Sequence, residues 1–289
     1  MNKSKMITVT GLATIMSASA ATADGVSVNG YLEGWFTSGD NTTGVNNSVY
    51  RHSVYVSYSS TLDNGMGLTA GFTLTSASDS AGFSIDTGMG TLSTGTFWQV
   101  NSAADGMDSL PNNANVISSR NVLGTYDDGD DASGQGVKYT SPSINGWTIA
   151  ASMGDNVGDA ETGDDRVTSV AASGSVMGIS MAVGMVDQKG DADDSFVTLG
   201  YSIGGVGIGY GNYDSDVDDA TSISLTTSVA GMTVGYRYDD LDAATAADNN
   251  DQSTYSISKD MGGLSLTLMY EDQDKADNSE WNLVYAMGF

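Results

Sequence analysis

The sequence predicts an all-β fold: a 16-stranded antiparallel up-and-down transmembrane β-barrel with one long loop folded inward. Three observations predict it. Apolar residues recur at every second position over most of the chain, the period of strands with unlike faces. The connections alternate between short turns and longer acid-rich segments, as they do when hairpins stand side by side around a barrel. The strand count is even, and typical strands match the ~9–11 residues that a tilted strand needs to cross a bilayer.

The first strand, VSVNGYLEGWF, sets Val26, Val28 and Leu32 on one side and Asn29, Tyr31 and Glu33 on the other. In HSVYVSYSS, Val54, Val56 and Tyr58 oppose Ser53, Tyr55 and Ser57. LTAGFTL groups Leu68, Ala70, Phe72 and Leu74. ISMAVGM, VTLGYSI, VGIGY, MTVGYRY and LSLTLMY repeat the pattern, their second faces rich in Ser, Thr and Gly. The sixteen expected strands run near 25–36, 49–60, 67–76, 81–87, 91–98, 135–141, 146–154, 166–176, 178–187, 195–203, 205–213, 220–229, 231–240, 252–260, 262–271 and 280–289. Short links such as SPSING, VMG, IGG and AGM alternate with YDSDVDDA, DLDAATAADNNDQ and EDQDKADN. In lipid every backbone polar group must be met internally, which a closed barrel achieves without a continuous apolar run.

One connection departs from the alternation. NSAADGMDSLPNNANVISSRNVLGTYDDGDDAS lies between Val100 and Gly134. Connections of that length are usually functional or disordered. Its VISSRNVLGTY portion is not of low complexity, which favours an ordered, folded-in loop over an added hairpin.

Composition narrows the function classes. Glycine is abundant, at 37 of 289 residues, and proline scarce, at 2, which favours strands and tight turns over a flexible linker. With no cysteine, disulfides and thiolate chemistry are excluded. The net charge of −26 repels nucleic acid and attracts cations. At the start, MNKSK supplies lysines, ITVTGLATIM a short apolar stretch and SASAATA small residues, the plan of a secretory signal peptide cleaved after Ala23. The expected organisation is a signal peptide over 1–23 and a transmembrane barrel domain over 24–289, exported to the outer membrane.

The hairpins LDNGMGLTAGFTL, FSIDTGMGTLSTGTFW and GVKYTSPSINGWTIAASMG, with the N-terminal leader and the terminal aromatic strand, resemble those of general porins of the Gram-negative outer membrane. The resemblance spans the chain after the leader and implies a sixteen-stranded barrel, usually a homotrimer embedded in outer-membrane lipid. It also implies an inward third loop whose acids face basic residues on the wall. The enterobacterial loop motif with a proline and paired glycines is missing, and Pro111 is the only proline of the long loop.

Strand parity puts Glu33, Arg51, Lys138 and Arg237 on the polar side, which in a barrel of this size lines a water-filled lumen. Charges there set selectivity rather than fold. Asp105, Asp108 and Arg120 lie in the long loop and are candidates to complete a constriction. Asp214, Asp216 and Asp218 belong to an acid-rich outer connection that offers oxygens for Ca²⁺, although without the full EF-hand spacing or a closing Glu a solvated acidic rim is the favoured reading. No other cofactor is expected. The only histidine, His52, shares its parity with Val54 and Val56, so a histidine-based triad cannot be assembled and no enzyme is expected. The run GGVGIGYGN lacks the helix of a nucleotide-binding loop, and its glycines share one strand face.

The chain closes on EWNLVYAMGF, in which Trp281, Leu283, Tyr285, Met287 and Phe289 alternate with Asn282, Val284, Ala286 and Gly288. An unpaired edge cannot persist in lipid, so this strand is expected to pair with the first. In the family resembled, a terminal aromatic is the mark read by the outer-membrane assembly machinery, a role that falls to Phe289. The expected function is a porin admitting small hydrophilic solutes and ions by passive diffusion, with a preference for cations. The alternative is a barrel serving as adhesin or envelope anchor through its acidic loops.

Overall fold

The computed structural model describes residues 25–39, 46–75, 80–96, 135–155, 166–188, 194–215, 218–243, 250–273 and 278–288. They form sixteen strands. The first eight are β1 (Gly25–Gly39), β2 (Asn46–Thr61), β3 (Gly67–Thr75), β4 (Ser80–Asp86), β5 (Thr91–Thr96), β6 (Gln135–Thr140), β7 (Trp147–Asp155) and β8 (Arg166–Val176). The rest are β9 (Ile179–Gln188), β10 (Asp194–Ile203), β11 (Val206–Ser215), β12 (Asp218–Val229), β13 (Met232–Ala243), β14 (Asn250–Asp260), β15 (Leu264–Gln273) and β16 (Asn278–Gly288).

Each strand pairs antiparallel with its sequence neighbours, and β1 pairs with β16 to close the barrel. The seam runs from Tyr31 opposite Gly288 to Gly39 opposite Glu280. The alternation over residues 280–288 therefore belongs to a paired strand, which removes the edge that lipid would not tolerate. Among the described residues no helix is long and apolar enough to cross a membrane.

Short turns on one rim hold the registers. Met177–Gly178 joins β8 to β9, with φ of 53° and 82°, and Ala230–Gly231 joins β12 to β13, with φ of 53° and 74°. Two consecutive residues at positive φ match the right-handed twist of a hairpin. Glycine meets this at no steric cost, whereas Met177 and Ala230 carry a Cβ into the left-handed region.

Pairing at the other rim continues past the apolar alternation. β13 reaches Ala243, β14 begins at Asn250, β15 runs to Gln273 and β16 begins at Asn278. Asp251, Gln252, Glu271 and Asp272, which composition places at or within the connections, are strand residues. Asp214 and Asp218 likewise lie in the facing ends of β11 and β12 rather than in a loop. The reason is that a ladder is held by backbone hydrogen bonds, which do not require apolar side chains.

The outer face carries the apolar comb. Tyr236, Tyr255, Tyr270 and Trp281 are direct cross-strand partners on β13 to β16. Their ring centroids stand 5.1, 6.3 and 4.8 Å apart in that order. Such tilted aromatic pairs contribute about 0.5–1.5 kcal/mol each beyond area burial, and aromatic girdles flank the lipid band of membrane barrels. The inner face is not uniformly polar: Ala171, Ala182, Val186, Phe196, Tyr213 and Ala220 are buried there. Gly184 makes room for this patch, because a Cβ on it would fall on the Phe196 ring.

Candidate lumen site

Strands β12 to β16 present a polar inner wall. Ser222, Ser224, Arg237, Asp239, Gln252, Thr254, Glu271 and Asn282 are all buried on it. Each alternates with an outward residue, so parity sets its direction and cross-strand pairing sets its neighbours. Ser224 pairs with Arg237, Arg237 with Thr254, Thr254 with Glu271, and Glu271 with Glu280. One row along, Ser222 pairs with Asp239, Asp239 with Gln252, and Gln252 with Gln273.

Arg237 is 0% exposed and is held from its own strand and from β12. Its Nε donates to Asp239 Oδ1 at 2.7 Å and to Ser222 Oγ at 3.1 Å. A charge-assisted contact of that length offsets part of the desolvation of both groups. Beside it runs an amide relay. Gln273 Nε2 donates to Gln252 Oε1 at 3.3 Å, and Gln252 Nε2 donates to Glu271 Oε1 and Thr254 Oγ1, both at 3.3 Å. Glu271 has Glu280, Asp239 and Arg237 as electrostatic neighbours. The wall thus combines one arginine, three carboxylates and neutral hydrogen-bonding groups, which can orient and select charged solutes without bond chemistry.

The family model for Gram-negative porins matches residues 8–288. This chain is a Gram-negative porin. Its fold is shared by solved barrels of low sequence identity. A triple mutant of the Rhodopseudomonas blastica porin is 17% identical with a TM-score of 0.67, the match covering 92% of this chain and 100% of that one. OmpT, an outer membrane protein of Vibrio cholerae described in its trimer form, is 15% identical with a TM-score of 0.68, again over 92% and 100%. Its loop L8 deletion mutant reaches 17% identity and 0.68 over the same shares. No curated protein sequence matches the chain.

Within this porin, the residues that strand parity singles out are spread around the wall. Glu33 and Arg51 are direct cross-strand partners on β1 and β2, next to a bulge where Gly34 pairs with Val49 and Tyr50 is skipped. Lys138 stands on β6 between Ser93 of β5 and Ser152 of β7. The Ser152 and Ser169 hydroxyls beyond it are 2.6 Å apart. Arg237 is the one that lies in the polar wall just described. His52 pairs with Leu32. Asp105, Asp108, Arg120, Asp216 and Phe289 lie outside the described residues, as does the connection between β5 and β6.

Asp239, Gln252, Glu271 and Glu280 escaped the sequence reading. They sit within two to four residues of strand ends, where alternation gives way to acid-rich composition. The available signal was parity extended outward: Glu271 follows Tyr270 as Arg237 follows Tyr236. Among the described residues no group of three or more His, Cys, Asp or Glu is arranged to hold a metal ion.

Proposed function

We propose that this porin is a passive diffusion channel for small hydrophilic solutes and that it prefers cations. The observation that carries the preference is the inner wall of β13 to β16. Its arginine is matched by Asp239, and Glu271 and Glu280 add two carboxylates to the inner face. Carboxylates in a confined, partly desolvated wall are screened less than charges on open surface, so they bias permeation toward cations. The overall charge of −26 acts in the same direction by concentrating cations at the mouths.

Planar-bilayer recording across a KCl gradient tests this. Wild type should give stepwise conductance with a reversal potential of cation sign, and Glu271→Gln with Glu280→Gln should move that potential toward zero. Absence of conductance, or anion selectivity in the wild type, defeats the reading.

The porin is further proposed to be a homotrimer of chains lacking residues 1–23. The leader composition and the trimeric form of the Vibrio cholerae barrel support this. Native mass spectrometry of membrane-extracted protein should give three times the mass of a chain beginning at Asp24. A monomer, or a chain retaining Met1, would refute the corresponding half.

A further inference from the structure

Two carboxylates on the lumen wall face each other. Glu271 and Glu280 are direct cross-strand partners on β15 and β16, which sets their Cβ atoms about 4.5–5.5 Å apart. Like charges placed so repel each other. Glu271 is 2% exposed, and the described hydrogen bond to it comes from a neutral amide, Gln252 Nε2. Arg237 is within electrostatic reach, but its described salt bridge goes to Asp239, which is itself a negative neighbour of Glu271. A buried carboxylate calls for a cation or for a proton.

Asn282 is the second, independent observation. It is 0% exposed, and among the described residues neither its Oδ1 nor its Nδ2 has a hydrogen-bond partner. Buried amides are rarely left so, and each such group calls for an explanation such as an ion or a water. Asn282 lies two residues along β16 from Glu280 on the same inner face. Because it pairs directly with Met269, it stands diagonal to Glu271, at a spacing that long side chains bridge. On its other side it pairs with the buried Thr37 of β1.

We infer that Glu271, Glu280 and Asn282 form a cation site on the lumen wall that takes a divalent ion of the calcium class. The donors are all hard oxygens, two carboxylates and an amide carbonyl, with the Thr37 hydroxyl beside them. The two formal negative charges match a divalent ion. Calcium accepts an irregular set of oxygens completed by water, whereas magnesium demands near-ideal octahedral geometry. The inference rests on the reading of the lumen as a solvent-filled path by which the ion arrives. It is separate from any binding by the acid-rich outer connections.

The test is calorimetric titration of CaCl₂ into folded, detergent-solubilised full-length protein, with heat-modified gel migration as the control for folding. Wild type should show a component with a dissociation constant of roughly 0.1–1 mM. That component should weaken at least ~10-fold in Glu271→Gln and in Glu280→Gln, while heat from the outer acids persists unchanged. Glu280→Gln is near-isosteric at the less buried position, so it carries the test if Glu271→Gln does not fold. Conductance recorded with and without CaCl₂ should show block in the wild type that both variants relieve. Identical titrations in wild type and variants overturn the site, as does a conductance that responds to pH but not to calcium, the mark of a shared proton. A channel that conducts normally under either result leaves the diffusion reading standing, whereas loss of all conductance strikes that reading alone.

Discussion

Two rows of residues occupy the same four strands. Tyr236, Tyr255, Tyr270 and Trp281 form the outer one, and Arg237, Thr254, Glu271 and Glu280 the inner one. Each member of one row is the sequence neighbour of a member of the other. Trp281 is 52% exposed on the outside of β16, while Arg237 on the inside of β13 is fully buried. The outer row faces a medium without hydrogen-bonding partners, so ring-on-ring contact and apolar area suffice. The inner row carries charge: Arg237 is held by Asp239 and Ser222, and Glu271 accepts a hydrogen bond from Gln252. A slip of one residue would exchange the rows, leaving rings in the channel and carboxylates in lipid. Register is therefore as much a part of the site as the side chains.

The sharpest way to break the inner row is Asp239→Ala. It leaves the buried Arg237 without its described carboxylate, a change that typically costs about 3–5 kcal/mol. Urea unfolding of protein folded into vesicles should show a loss of that order, with Asp239→Asn losing less. An unchanged midpoint would mean that the pair contributes nothing. On the outer row, Tyr255→Leu keeps apolar area but removes both ring contacts of the central tyrosine. The expected loss is about 0.5–1.5 kcal/mol per pair, with conductance and selectivity unchanged; a shift in reversal potential would mean that the rows are coupled. The smallest effect belongs to the turn that sets their alignment. Ala230→Asn replaces a left-handed alanine by a residue that tolerates that conformation, and should stabilise by roughly 1 kcal/mol or less. The same assay checks it, and a loss of stability would show that the turn needs the alanine for another reason.

Much of this porin was legible in one dimension. Period-two alternation located sixteen strands, and the short turns divided the hairpins. Parity alone put Arg237 and Lys138 on the inner face. Less legible were the strand ends, because the ladder is carried by backbone groups that composition does not reveal. Glu271 and Gln252 were accordingly read at the margin of acidic connections, although they are central to the polar wall. The apolar inner patch around Phe196 and Tyr213 was also missed. It depends on Gly184 lying across from Phe196 and Ala171 across from Gly184, which no single strand shows.

By itself the sequence determined which face of each strand meets lipid, because that depends only on alternation along one strand and on the absence of water in the bilayer. It also determined that the last strand could not stand unpaired. Which residues meet across the wall was decided by the tertiary structure alone. The opposition of Glu271 to Glu280, the place of Asn282 beside them and the bridging of Gln252 to Glu271 follow from pairing offsets between strands. Those offsets are set by turn geometry and by closure of the whole barrel, quantities that belong to the ring of strands and to none of them singly.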